Sequence, residues 1–199
     1  MVKYFHFHTN DHTYDVALIS SRCTHVNNQT NHHCKKRCLI GGSKCWIHLL
    51  SDNYLRIKPS TIQNAGSGLF TQKRYNNTNR VFNTGEKICD YQGKTISHQN
   101  ITQRYRDKTA PYCVALRYLD ENGNRQYEDG CQYRGVGSLI NHHRKRKNCR
   151  FSVTQNNRIQ LVATKPINKD TELFVDYGDT YILNEVGVQT STNNKKHTV

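Results

Sequence analysis

Four side chains in the first quarter of the chain have the chemistry of a metal centre. Cys23, Cys34, Cys45 and His48 all fall within RCTHVNNQTNHHCKKRCLIGGSKCWIHL, residues 22–49. Thiolates and an imidazole suit Zn²⁺ in tetrahedral geometry, and Cys45-Trp46-Ile47-His48 is a tight chelate with a two-residue gap. Gly41-Gly42 provide the turn that returns the chain to it. So short a segment would struggle to fold without a staple, and bound metal would supply the missing free energy. Cys38, His25, His32 and His33 stand in reserve as ligands. Lys35, Lys36 and Arg37 could touch nucleic-acid phosphates, although a solvated charge run accounts for them equally well.

A second set of candidates lies further along: AGSGLF (65–70), GEKICDYQGKTIS (85–97), GSLINHHRKRKNCRF (137–151) and ELFVDYGDTY (172–181). Each alone says little, since a Gly-x-Gly is usually a turn, a strand Tyr usually packing, and Asn-His usually a loop. In this order and spacing they resemble the SET family of protein lysine methyltransferases over about residues 52–183. The Cys/His segment is similar to a small Cys-rich module, C…CKR…C-W-x-H-L, that recurs in proteins of large DNA viruses.

The resemblance implies a mainly β (α+β) fold of small sheets around a pseudoknot-like core, in which residues 141–142 and the 174–178 strand end thread together. It implies S-adenosylmethionine as methyl donor and a histone or histone-like basic tail as substrate. Gly66, Ser67 and Gly68 match the glycine loop whose backbone approaches the donor, where bulky Cβ groups are excluded. Asn141 and His142 match the pair that grips it, and Tyr112 falls near an aromatic donor contact. Tyr177 matches the catalytic tyrosine beside the transferring methyl, and Tyr91 the one that lines the lysine channel. Phe151 and Val175 occupy the two channel positions where a hydroxyl would hold a water; neither carries one, so the enzyme is expected to go beyond monomethylation. Asp176 reads as structural.

The chemistry favours such residue types. Methyl transfer needs a neutral amine aligned with the donor and surroundings kind to a cationic methyl group. A dry channel lowers the lysine pKa from about 10.4, and aromatic faces accommodate a methylated ammonium. Four departures stand out: Arg144 where relatives place a zinc-binding Cys, no Cys beyond Cys149, Ser138 where an Arg is common, and Lys147 in place of Pro. The cluster-free ending resembles SET proteins of large DNA viruses, whose small members suggest a homodimer. The competing reading is a zinc-stabilised nucleic-acid- or chromatin-binding protein with an inactive SET domain.

The elements that must position these groups are short. YLRI, GLF, KICDY, YCVALRYL, RFSV, IQLVAT and ELFVDY read as strands between Gly, Asn and Asp turns. ENGN (121–124) predicts a hairpin turn, SHQNITQRYRD (97–107) a helix opened by Ser97 or His98, and VALIS (16–20) one strand. The expected organisation is an N-terminal segment 1–21, a Cys/His module 22–50, the SET domain 52–183 and a disordered polar tail 184–199. With 199 residues, 35% hydrophobic, the core must be small. The net charge of +14 points to chromatin-like partners. No apolar run approaches the ~20 residues of a membrane span, and MVKYFHFHTNDH lacks a signal-peptide core. An intracellular protein of the nucleus, viral factory or virion is expected, with its eight Cys as ligands and buried thiols rather than disulfides.

Overall fold

Short β-prone runs broken by turn residues fold into many short strands rather than a few long ones. The computed structural model describes residues 2–9, 12–19, 21–38, 43–72, 79–105, 110, 112–131 and 135–178, the first two segments by backbone alone. The expected tail 184–199, the Gly41-Gly42 turn and Tyr181 lie outside these residues. In chain order the elements are β1 (Val2–Thr9), β2 (His12–Ile19), α1 (Trp46–Asn53), β3 (Leu55–Pro59), β4 (Ser67–Thr71), β5 (Arg80–Phe82), β6 (Lys87–Asp90) and β7 (Lys94–Ser97). Then come α2 (His98–Tyr105), β8 (Cys113–Leu119), β9 (Arg125–Asp129), a 3-10 turn (Val136–Leu139), β10 (Asn141–His142), β11 (Cys149–Val153), β12 (Ile159–Ala163), β13 (Ile167–Asn168) and β14 (Phe174–Val175).

The strands pair into six small sheets: β1-β2, β3-β4, β13-β5, β11-β12-β6, β7-β9-β8 and β10-β14. Where the sequence pointed to one strand at 16–20, the backbone forms a whole hairpin, β1 against β2. Strands read from unbroken apolar runs are buried on both faces, as in β4, where Gly68 through Thr71 are all buried. Leu55, Leu69, Leu161, Leu173 and Val175 are almost solvent-free and tie the small sheets into one core. ENGN closes the β8-β9 hairpin: Gly123 takes the positive φ of 76°, and Asp120 accepts N–H bonds from Asn122 (3.0 Å) and Asn124 (2.8 Å). No helix among the described residues is long and apolar enough to cross a membrane.

The two helices have different origins. In α2, Ser97 Oγ accepts the Asn100 N–H (3.3 Å), a local cap that the sequence announces. Helix α1 was not foreseen, because its N-cap Cys45 makes no side-chain cap bond and its first turn carries no acidic residue. Packing supplies what propensity lacks: Leu49 is buried in the main core, and Tyr54, at φ 55°, closes the helix by donating to Leu50 O (2.9 Å).

The threaded core is visible in hydrogen bonds. Strand β10 runs parallel to β14, with Asn141 opposite Phe174 and His142 opposite Val175. On the other side of β14, Asn148 donates to Glu172 O (2.8 Å) and accepts the Phe174 N–H (2.9 Å) through its amide side chain. Its own backbone N–H reaches Phe174 O (3.1 Å). Segment 141–148 thus encloses β14 from both sides, giving the pseudoknot-like core expected of the fold.

Candidate functional site

The residues around the end of β14 form a run of touching rings. Tyr91, buried after β6, meets Phe151 of β11 edge-on with centroids 5.6 Å apart. Phe151 lies 6.5 Å from Tyr177 at an interplanar angle of 19°, and Tyr177 lies 5.3 Å from His142. Val175, with no exposed surface, backs this run from β14. Five expected site residues from three distant parts of the sequence therefore come together here.

Polar groups fix the rings at defined angles. The Tyr177 hydroxyl donates to Ile140 O, and the Tyr177 backbone N–H donates to His142 Nδ1 (2.9 Å). That bond puts the imidazole proton on Nε2. Burial holds the His142 pKa below the ordinary imidazole value, although Asp176 nearby acts in the opposite sense. Asp176 itself is held below the usual carboxylate range, first by Lys147 at 3.0 Å. The Tyr91 hydroxyl donates to Tyr112 O (2.6 Å). Burial first, and the neighbouring Tyr177 next, push its phenol well above the usual value, so it stays a protonated donor. Tyr112, at φ 61°, packs against Tyr105 and Cys131, and its backbone carbonyl ties it to the site.

The glycine loop is held by a buried carboxylate that sequence reading missed. Glu172 accepts bonds from Ser60 Oγ (2.6 Å), Thr61 N (2.7 Å), the Thr61 hydroxyl and Asn141 Nδ2 (3.3 Å), and Asn141 also donates to Ser67 O (3.1 Å). One side chain thereby joins the approach to the loop, the loop itself and β10. Its signal was present only as an acidic residue immediately before the apolar run Leu173-Phe174-Val175. Gly66, at φ 66°, faces open space, so its role is conformational. Gly68 is different: a Cβ there would lie 2.3 Å from Glu172 Oε1 and 3.3 Å from Asn141 Nδ2. Gly68→Ala is therefore expected to cost about 1–3 kcal/mol, as overpacking does. Urea melting measures it; an unshifted midpoint would mean that Glu172 moves aside freely.

The Cys/His module brings its four expected ligands together. The ligand atoms of Cys23, Cys34, Cys45 and His48 all lie within 4.8 Å of one another. His48 Nδ1 is 3.3 Å from both Cys23 Sγ and Cys45 Sγ. These separations suit a tetrahedral zinc centre, in which neighbouring thiolates sit about 3.8 Å apart. The helix makes the chelate: Cys45 caps α1, and His48 lies one turn on. Burial pushes the Cys23 thiol up. At Cys45 burial acts the same way, but bonds from the His48 backbone N–H, the Cys23 thiol and the Ile47 backbone N–H together outweigh it and hold the thiol below its usual value. Cys38 is buried nearby but outside the four-atom group, and His32 and His33 are exposed. His25 serves as support: its ring stacks on His48 at 3.6 Å while Nδ1 meets Asp52 (2.8 Å).

No curated protein matches the chain. Solved structures with similar chains include the crystal structure of the Chaetomium thermophilum polycomb repressive complex 2, at 26% identity and TM-score 0.48, covering 64% of this chain and 15% of that one. Another is ctPRC2 in an autoinhibited conformation bound to S-adenosylmethionine, at 26% identity and TM-score 0.49, covering 65% and 16%. A third is ctPRC2 in complex with H3K27me3 and H3K27M, at 22% identity and TM-score 0.49, covering 80% and 18%. The chain thus spans less than a fifth of the length of these chains. The SET domain model matches residues 66–178, which include the glycine loop, Tyr91, the Asn141-His142 thread and Tyr177, and the chain belongs to the SET domain family.

Proposed function

We propose that the chain is an S-adenosylmethionine-dependent protein-lysine N-methyltransferase acting on a histone or histone-like basic tail. The observation that carries this reading is the aromatic run from Tyr91 through Phe151 to Tyr177, which ends against His142. When bound, the donor supplies an electrophilic methyl group on a sulfonium. Gly66, Ser67, Gly68, Asn141, His142 and Tyr112 are the residues assigned to hold it, and the fit rests on the open space at Gly66 and on Asn141, fixed between Ser67 and Glu172.

The chain's own groups suit the acceptor. Tyrosine faces and carbonyls, rather than carboxylates, line the run, so a methylated ammonium is favoured without trapping the reactive amine as an ion pair. Low polarity around Tyr91 and Val175 lowers the lysine pKa toward the neutral, nucleophilic form. The Tyr177 hydroxyl, bonded to Ile140 O, holds that carbonyl and the ring at a fixed angle to the channel.

The same residues carry an expectation about product. Phe151 and Val175 offer no hydroxyl to anchor a water where the next methyl must turn. Di- or trimethyl product is therefore expected, and Val175→Tyr should shift the enzyme toward monomethyl product. Mass spectrometry of a substrate peptide at long times reads both; a wild-type product stalled at one methyl, with donor in excess, defeats the argument.

The alternative, a zinc-stabilised nucleic-acid- or chromatin-binding protein with an inactive SET domain, draws on Ser138. That residue is buried and donates to Gly135 O (2.9 Å), so it leaves no cation where relatives often carry Arg. Incubation with labelled methyl donor and a histone panel separates the two readings: labelled lysine supports the enzyme, and none on any substrate supports the alternative. The likeness of the Cys/His segment to a module of large DNA viruses extends the proposal to a viral enzyme working as a homodimer inside the cell; light scattering reads the dimer directly.

A further inference from the structure

Two adjacent acids of β9, Glu128 and Asp129, are both buried, and alternation along the strand sends them to opposite faces. Buried carboxylates are costly unless each is paired and hydrogen-bonded. Glu128 accepts the N–H groups of Gly93 (2.7 Å) and Ile159 (2.8 Å) and a bond from Arg158 (2.7 Å). Ile159 O in turn accepts the Tyr91 N–H (2.9 Å), so Glu128 holds the backbone against which Tyr91 is registered.

Asp129 faces the other way, toward α2. One carboxylate oxygen accepts the Tyr105 hydroxyl (2.9 Å) and pairs with Arg104; the other accepts the N–H of Cys131 (2.8 Å). Burial pushes the Tyr105 phenol far above its usual value, so it stays a donor. The bond to Cys131 makes an Asx turn at the end of β9. Inside that turn Gly130 donates its N–H to Tyr112 O (2.8 Å), the same oxygen that accepts the Tyr91 hydroxyl (2.6 Å). A Cβ at Gly130 would stand 3.3 Å from that hydroxyl, so the turn also lies against the Tyr91 ring. Tyr112 itself sits at φ 61°, a backbone state that a bulky residue keeps only where its neighbours impose it. A continuous series of bonds thus runs from Arg104, 27% exposed on α2, through Asp129 and Tyr112 O to the Tyr91 hydroxyl.

We infer that Asp129, clamped by Arg104, is a positioning residue for methyl transfer that sets the direction of the Tyr91 hydroxyl. The chemistry gives that direction a consequence. With its proton committed to Tyr112 O, the Tyr91 oxygen offers only lone pairs to an incoming amine. It can then accept an amine N–H and leave the nitrogen lone pair free for attack. Were the clamp released, the hydroxyl could turn its proton onto that lone pair and oppose the reaction. The effect on turnover rests on the methyltransferase reading; the hold on Tyr91 does not.

The test compares the full wild-type chain with Asp129→Asn, Arg104→Met and Arg104→Lys. Asparagine keeps an acceptor for the Cys131 N–H but offers no charge to Arg104. In chains carrying ¹³C-labelled tyrosine, the Tyr91 ζ-carbon resonance is identified by its absence from Tyr91→Phe. It should move in Asp129→Asn, move less in Arg104→Met, and return toward its wild-type place in Arg104→Lys. With a histone-tail peptide, Asp129→Asn should lower kcat by about 10- to 100-fold, the size of loss that a small misplacement causes. KM for the peptide should stay within about threefold, because the interaction serves alignment more than ground-state binding. A Tyr91 resonance that stays in place in Asp129→Asn overturns the assignment, and so does a fall in activity that only follows the folded fraction. Should Asp129→Asn fail to fold, the Arg104 pair decides: an unmoved resonance in Arg104→Met, or no return in Arg104→Lys, overturns it equally. A wild type that methylates nothing defeats the methyltransferase reading, while the resonance still decides whether Asp129 holds Tyr91.

Discussion

Tyr177→Phe is expected to lower methyl transfer by roughly 10²-fold or more, the size of effect seen when one preorganised donor is removed from a reacting centre. The reasoning separates ring from hydroxyl. The ring's neighbours, Phe151 at 6.5 Å and His142 at 5.3 Å, do not depend on the oxygen, and neither does the backbone bond from Tyr177 N–H to His142 Nδ1. The phenylalanine variant should therefore fold and bind donor nearly as well as the wild type. The hydroxyl is what holds Ile140 O, and with it the end of the 3-10 turn that enters β10. An interaction that matters to alignment more than to ground-state binding appears in kcat rather than in Kd. Turnover of a histone substrate and calorimetric donor binding measure the two separately. Turnover within about twofold of wild type would remove Tyr177 from the catalytic role.

What could be read in the sequence divides along a physical line. Local chemistry was legible: the Cys45-to-His48 chelate, the Asn-Gly turn and the Ser97 cap each act over a few residues and leave a spacing in the chain. The mainly β architecture of small sheets followed from apolar runs punctuated by turn residues. Long-range polar ties were not legible. Glu172 reaches Ser60 and Thr61 across more than a hundred residues, and Asn148 encloses β14 from a segment, 137–151, in which sequence reading gave it no role of its own. Such groups reveal themselves only as polar residues in apolar surroundings, a signal that says a partner is needed without saying which. Helix α1 was missed for a related reason, since its stability comes from Leu49 in the core and not from its own caps.

Cys45→Ser should have the largest structural effect. Cys45 has two functions at once: its sulfur lies 3.3 Å from His48 Nδ1 among the four proposed ligand atoms, and its backbone opens α1. A serine keeps the backbone but is a poor ligand for zinc. The free energy of binding a structural zinc, about 10–16 kcal/mol in small modules, is also what folds them. Its loss should release residues 21–38, whose few backbone bonds and polar side chains bury little else. It should also loosen α1, leaving Leu49 as its main anchor in the core. Elemental analysis is expected to give about one zinc per wild-type chain and almost none in the variant, and limited proteolysis should cut first in the module. Cys38→Ser is the matched control: its sulfur is buried and accepts a Ser21 hydroxyl bond at 3.7 Å but stands outside the ligand group, so zinc should be retained. Stoichiometric zinc in Cys45→Ser together with loss in Cys38→Ser would exchange the two assignments and move the metal away from the start of α1.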